Sequence, residues 1–219
     1  MDYKVPDTSH YPTLTQLLKQ PAVVEPISKE VQGSRERALG AIIAQIRNEN
    51  QRLPSGIERF VEQLTNGLNN SQASYFQSRQ YDRIIDDLSG PLQEIEMYGI
   101  AKVVASLNQN QKHELSAALN HYGNALTNKG RHQDAIRVFR TALLIEEDPT
   151  LYYNLGIAQR GAGLEAKKSG NLNQAREFFD AYKDSYTKFL ELEREGARAE
   201  GVIRALRVIE ERHIPSVMR

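Results

Sequence analysis

Two stretches of this chain say nearly the same thing, and that repetition constrains the fold more than any other feature. Leu119–Pro149 reads LNHYGNALTNKGRHQDAIRVFRTALLIEEDP, and from Tyr152 the chain reads YYNLGIAQ, then a spacer, then GNLNQAREFFDAY. Both copies carry a Gly within a helical pattern (Gly123, Gly156), with a large apolar residue before it (Tyr122, Leu155). Both then place a Gly at a turn (Gly130, Gly170), an Ala five residues on (Ala135, Ala175) and a Phe four beyond that (Phe139, Phe179). Leu119 and Tyr152 fill the bulky site near the start of each copy, and Ala142 a further small site that Tyr182 takes in the second. A helix–turn–helix unit of this size cannot bury its apolar face alone, so repetition predicts stacked hairpins.

The spacing is uneven. Gly123 and Gly156 lie 33 residues apart, whereas the later landmarks lie 40 apart, so seven residues are read as inserted in or after RGAGLEAKK. Two helical turns take about 7.2 residues, so such an insertion keeps the buried face in phase. Leu172, Ala175, Phe179, Tyr182, Tyr186 and Phe189 recur at intervals of 3,4,3,4,3, a coiled-coil-like stripe longer than one standard helix. The expectation is a hairpin lengthened by two turns on both arms. Gly161 and Gly163, each costing about 1 kcal/mol in a helix interior, are its weak point, and the alternative there is a kink.

Residues 116–195 resemble tetratricopeptide (TPR) repeats, on the Gly, Ala and Phe positions just named. SRQYDRII (78–85) resembles the turn and second helix of a degenerate repeat, with Ile84 where Ala is usual. The resemblance implies that the mid-helix small residue lets paired helices approach closely, and that the first helix of each unit lines a concave groove for a peptide. The matched groove positions are Asn120, Asn124 and Thr127 in the first unit, then Tyr153, Asn154, Ile157 and Arg160 in the second. Asn124 and Asn154 match the two Asn positions of the family's carboxylate clamp, but Asn120 stands where its first Lys belongs.

Outside the repeats, four of the eight prolines fall at positions 6, 12, 21 and 26, which predicts an extended arm over 1–27 whose Tyr, Leu and Val residues dock on apolar surface. Helical periodicity dominates 28–108: Ala38, Ile42 and Ile46 form one stripe, and Pro54 ends it. Ser55 is expected to cap the next helix, Asn69–Asn70–Ser71 to make a turn, and Ser89–Gly90–Pro91 to stop the run from Tyr75 to Leu88. A further helix is expected over Leu92–Leu107. Beyond the repeats (109–196), Val202, Leu206 and Ile209 mark one side of a capping helix within 197–219. No segment alternates as a strand does, so the expected class is all-α, a short solenoid of antiparallel hairpins.

The chain has no Cys, which removes disulfides and thiolate chemistry. Lys+Arg and Asp+Glu both total 28, leaving no net field to recruit nucleic acid. The N-terminus lacks a secretory pattern and no apolar run is long enough to span a membrane, so a cytoplasmic protein without membrane insertion is expected. Neither a Gly-x-Ser-x-Gly elbow, a phosphate-cradling loop nor a His-Glu-x-x-His occurs. Glu210 and His213 make a lone Glu-x-x-His pair, read as a charged helix end; Asp86–Asp87 and Glu146–Glu147–Asp148 are read as solvated helix ends. The expectation is therefore a non-enzymatic adaptor or scaffold with no metal and no cofactor, binding another protein or peptide. The alternatives are a self-assembling homo-oligomer and, behind it, a helical enzyme or ligand carrier.

Overall fold

The computed structural model describes residues 53–209 and 211, and every regular element among them is helical. The arm over 1–27, the stripe Ala38–Ile46, and Glu210 with His213 lie outside the described residues.

Helix α1 (Ser55–Gln63) buries Ile57, Phe60 and Val61. The amide of Glu58 bonds the carbonyl of Pro54, so Pro54 is the cap and Ser55 already lies in the first turn, without the expected capping bond. A π-helical turn (Leu64–Leu68) leads straight into α2 (Asn69–Gln77). The expected turn at Asn69–Asn70–Ser71 is thus the start of a helix. The break falls at Gly67, whose φ of 101° only a residue without Cβ adopts cheaply.

Helix α3 (Tyr81–Tyr98) runs through Ser89–Gly90–Pro91, where a stop was expected. Ile84, Leu88, Leu92 and Ile95 keep helical spacing across Pro91 and are all buried. Burying four such side chains, at about 1.5–3 kcal/mol each, outweighs the roughly 3 kcal/mol cost of an interior proline. The helix ends instead at Gly99, with φ 105°, which also divides the helix expected over Leu92–Leu107; α4 (Ile100–Ser106) is a separate piece with Val103 inside.

Helix α5 (Gln109–Asn128) opens on a capping box, Asn108 accepting from the Gln111 amide while the Gln111 side chain accepts from the Asn108 amide. It turns back into α6 (His132–Ile145). Helix α7 (Pro149–Lys168) starts with Asp148 capping the Thr150 amide and Pro149 in the first position. It returns as α8 (Leu172–Leu192), and α9 (Ala197–Val208) follows. α5 packs on α6, α7 on α8, α6 on α7, α3 on α5, and α9 on α8.

The connections α2–α3, α5–α6 and α7–α8 are one turn used three times. Arg79, Gly130 and Gly170 hold φ of 57°, 76° and 81°. In each case the next residue's amide bonds the carbonyl five positions back: Gln80 to Tyr75 at 2.8 Å, Arg131 to Leu126 at 2.9 Å, Asn171 to Ala166 at 2.9 Å. Ile84, Ala135 and Ala175 are then buried at one equivalent position, and Leu88, Phe139 and Phe179 at the next. The weak match at SRQYDRII marks a hairpin with the same turn as the other two.

The turn also corrects the repeat. α5 and α7 span the same length forty residues apart, and α6 and α8 begin forty residues apart. The partner of Gly123 is therefore Gly163, not Gly156. A Cβ on Gly123 would meet the Phe139 ring at 2.7 Å, and one on Gly163 would meet the Phe179 ring at 2.7 Å. No seven-residue insertion is present in the first arm; only α8 outlasts its counterpart, at 21 residues against 14. Gly156 is a second close approach on the same hairpin, where a Cβ would overlap Tyr186. The alternative of a kink is not met either: α7 is continuous through Gly161 and Gly163, and Gly161 makes room for the His132 ring. The cost of two interior glycines is offset by the packing they permit.

Candidate functional site

The seven groove positions divide sharply between the two hairpins. On α5, Asn120, Asn124 and Thr127 are half-buried, and each makes a side-chain hydrogen bond within the fold. The Asn120 Oδ1 accepts from Asn154 Nδ2 at 2.8 Å and from Asn124 Nδ2 at 3.3 Å. Thr127 donates its hydroxyl to the Gly123 carbonyl at 2.8 Å. The two Asn positions matched to a carboxylate clamp are thus joined through a third Asn, tying α5 to α7. The side-chain amides of both donate to the same Asn120 oxygen.

On α7, Tyr153, Ile157 and Arg160 line one side of a cavity of about 510 Å³. Their spacing of four and three residues places them on a single helical face. The opposite wall is α9, through Gly201, Arg204, Ala205 and Val208, again one helical face. Tyr182 and Tyr186 of α8 form the floor. Tyr153 stacks on Tyr186, centroids 5.7 Å apart and planes 6° from parallel, and tilts against Phe189 at 5.6 Å. Tyr182 meets Tyr186 edge-on at 4.4 Å. Above the stack, the Arg198 guanidinium lies 5.5 Å from the Tyr153 ring centre.

Burial pushes the Tyr186 phenol far up, with the neighbouring Tyr182 adding to the effect, and burial raises Tyr182 as well. Both floor rings therefore stay neutral hydroxyls. The stripe from Ala175 to Phe189 is core, as its heptad spacing predicts, while its first member, Leu172, is exposed. The sequence reading did not place Arg204, Val208 or Gly201 at the groove. Their signal was the i, i+3, i+4, i+7 pattern of α9 that flanks the buried side of Val202 and Ile209, and Ile209 lines the cavity as well.

A second crevice, about 590 Å³, lies between α3, α5 and α6. Here Asp134 holds Arg131 at 2.8 Å and also Arg137, and these two hydrogen bonds keep its carboxyl below the usual range. Glu96 and Tyr122 line the same crevice, the Tyr122 phenol raised chiefly by burial. Its two guanidinium and two carboxylate charges balance.

The acidic clusters serve the framework. Glu146 pairs with His113 at 3.0 Å, Glu147 accepts from the Tyr152 hydroxyl at 3.2 Å, Asp148 caps α7, and Asp87 accepts from the wholly buried Gln72 at 3.1 Å. Among the described residues, no group of three or more His, Cys, Asp or Glu side chains converges as metal ligands would, and no helix is long and apolar enough to cross a membrane. No family model, no curated protein and no solved structure matches the chain.

Proposed function

We propose that this chain is a TPR-type adaptor that holds a segment of another protein in the groove between α7, α8 and α9. The observation that carries the reading is the groove itself: two facing helical walls, a floor of two tyrosine rings and an open volume of about 510 Å³. Binding clefts for small ligands and side chains fall in this range and pair apolar walls with a few polar groups. Ile157 and Val208 remain partly exposed at its mouth, apolar surface that an extended or helical segment would cover. The α5 asparagines contribute rigidity between hairpins in this reading, and the contact surface is the second unit with α9. No enzyme chemistry is assigned, since the titratable groups at the groove are arginines and buried phenols.

Gly201 supplies a clean test, because a Cβ there meets nothing within 4 Å. Gly201→Leu should fill the groove without a clash and should add helix propensity worth about 1 kcal/mol. Proteins retained from native lysate by the wild-type chain should be lost by this variant, while its melting temperature holds or rises. Equal retention by the two proteins would place the interface elsewhere. A second copy of the chain as occupant would show itself in sedimentation as an oligomer that Gly201→Leu disperses.

A further inference from the structure

The groove carries a charge signature that the chain as a whole lacks. The protein is neutral, with 28 cationic and 28 anionic side chains, yet among the described residues the groove is lined by Arg160 and Arg204 and by no carboxylate. Among the described residues Arg160 has no ion-pair partner. Arg204 has only Glu200, at 3.7 Å, with both side chains more than 70% exposed, an arrangement that contributes little and exchanges readily. The two guanidinium groups sit on opposite walls of an aromatic cleft, where a carboxylate would gain charge-assisted hydrogen bonds at the rim and an apolar neighbour would reach the rings below. Building on the groove reading above, we infer that the bound segment presents an internal Asp or Glu side chain next to a bulky apolar residue, the carboxylate between Arg160 and Arg204 and the apolar group on the Tyr182–Tyr186 floor. A basic segment is disfavoured by like charge on both walls.

The test is a selection of random twelve-residue peptides, amidated at the C-terminus, on the full chain, followed by affinity measurement of the selected peptides. Enrichment of Asp or Glu beside Leu, Ile, Phe, Tyr or Trp is expected, with affinity that falls as salt rises. Arg160→Glu combined with Arg204→Glu should weaken these peptides about tenfold or more, and replacing the peptide's acidic residue by Lys should recover binding to the reversed variant. Circular dichroism and melting of the variant establish that it is folded. Selected peptides that Gly201→Leu excludes but that are neutral or basic, and indifferent to the Arg reversal, would overturn the acidic assignment while leaving the groove intact. Peptides that bind only with a free C-terminal carboxylate would overturn the side-chain assignment likewise. Peptides that bind Gly201→Leu as tightly as wild type, or a selection that retains none, would overturn the groove reading together with this one.

Discussion

The α5–α6 and α7–α8 hairpins share a turn, a helix-entry geometry and a Gly-on-Phe contact, yet one closes its inner face and the other leaves it open. On the first, Asn120, Asn124 and Asn154 satisfy one another across the α5–α7 contact. On the second, Tyr153, Ile157 and Arg160 face a cavity. The difference arises from what lies beside each hairpin. α5 has α7 packed against its flank, and the polar positions between them become internal bonds. α7 has α9 across a cavity floored by the bulky Tyr182 and Tyr186 rings of the longer α8, although at its start α9 sends Arg198 back to Thr150 and the Tyr153 ring. One scaffold therefore yields a glued seam or a groove, depending on side-chain size one layer below.

The largest test of the equivalence is removal of the paired rings. Phe139→Ala and Phe179→Ala should each cost about 3–5 kcal/mol, since both rings are wholly buried against a glycine. Chemical denaturation gives the two values, and a Phe179→Ala cost well below that of Phe139→Ala would break the symmetry.

Next come the glycines. Gly123→Leu, Gly156→Leu and Gly163→Leu should each destabilise by a few kcal/mol, because a Cβ already collides with Phe139, Tyr186 or Phe179. Glu177→Ala, on the exposed face of α8, should be nearly silent. Gly163→Leu is the discriminating member: if it proved silent while Gly156→Leu did not, a 33-residue equivalence would return.

At the turns, Gly130→Ala and Gly170→Ala should each cost about 1 kcal/mol, since φ of 76° and 81° disfavours a Cβ although space is open around both. Thermal melts should show similar losses of a few degrees in both hairpins. Arg79 already holds the same conformation, so Arg79→Gly should raise stability by up to about 1 kcal/mol.

The smallest expected effect concerns pH. The Asp134 carboxyl is held low by its hydrogen bonds to Arg131 and then Arg137, so it is depressed in the folded state. Its contribution is therefore present above the ordinary carboxylate pKa and is lost as pH falls through the depressed value. Exposure limits it to about 1 kcal/mol or less at neutral pH. Asp134→Asn should thus lower stability slightly at pH 7 and leave it unchanged near pH 2; a difference that persisted at pH 2 would exclude the charge as its source.

Much of this was legible in advance, and the misreadings have a common cause. The helical class, the turn glycines, Ala135 with Ala175 and Phe139 with Phe179 are all local patterns. Each follows from spacing along one helix or from the φ a turn demands. Gly156 was matched to Gly123 because it too follows a large apolar residue on a buried helical face. A shift of seven residues is close to two whole turns, so both Gly156 and Gly163 lie on that face and periodicity cannot choose between them. Likewise, Ser89–Gly90–Pro91 and Asn69–Asn70–Ser71 look like breaks, but local preference yields there to burial of Leu92 and Ile95 and to the bend at Gly67.

What the order of residues determined by itself is the set of helices and their buried stripes, because apolar periodicity and backbone preference act within a few residues of one another. Which glycine meets which ring, and whether Asn120 and Arg160 face a neighbour or a cavity, was decided only when the helices packed. Those outcomes depend on the lateral distance between helices. That distance is set by side chains far apart in the chain, here Tyr182 and Tyr186 beneath α9 and Asn154 against α5.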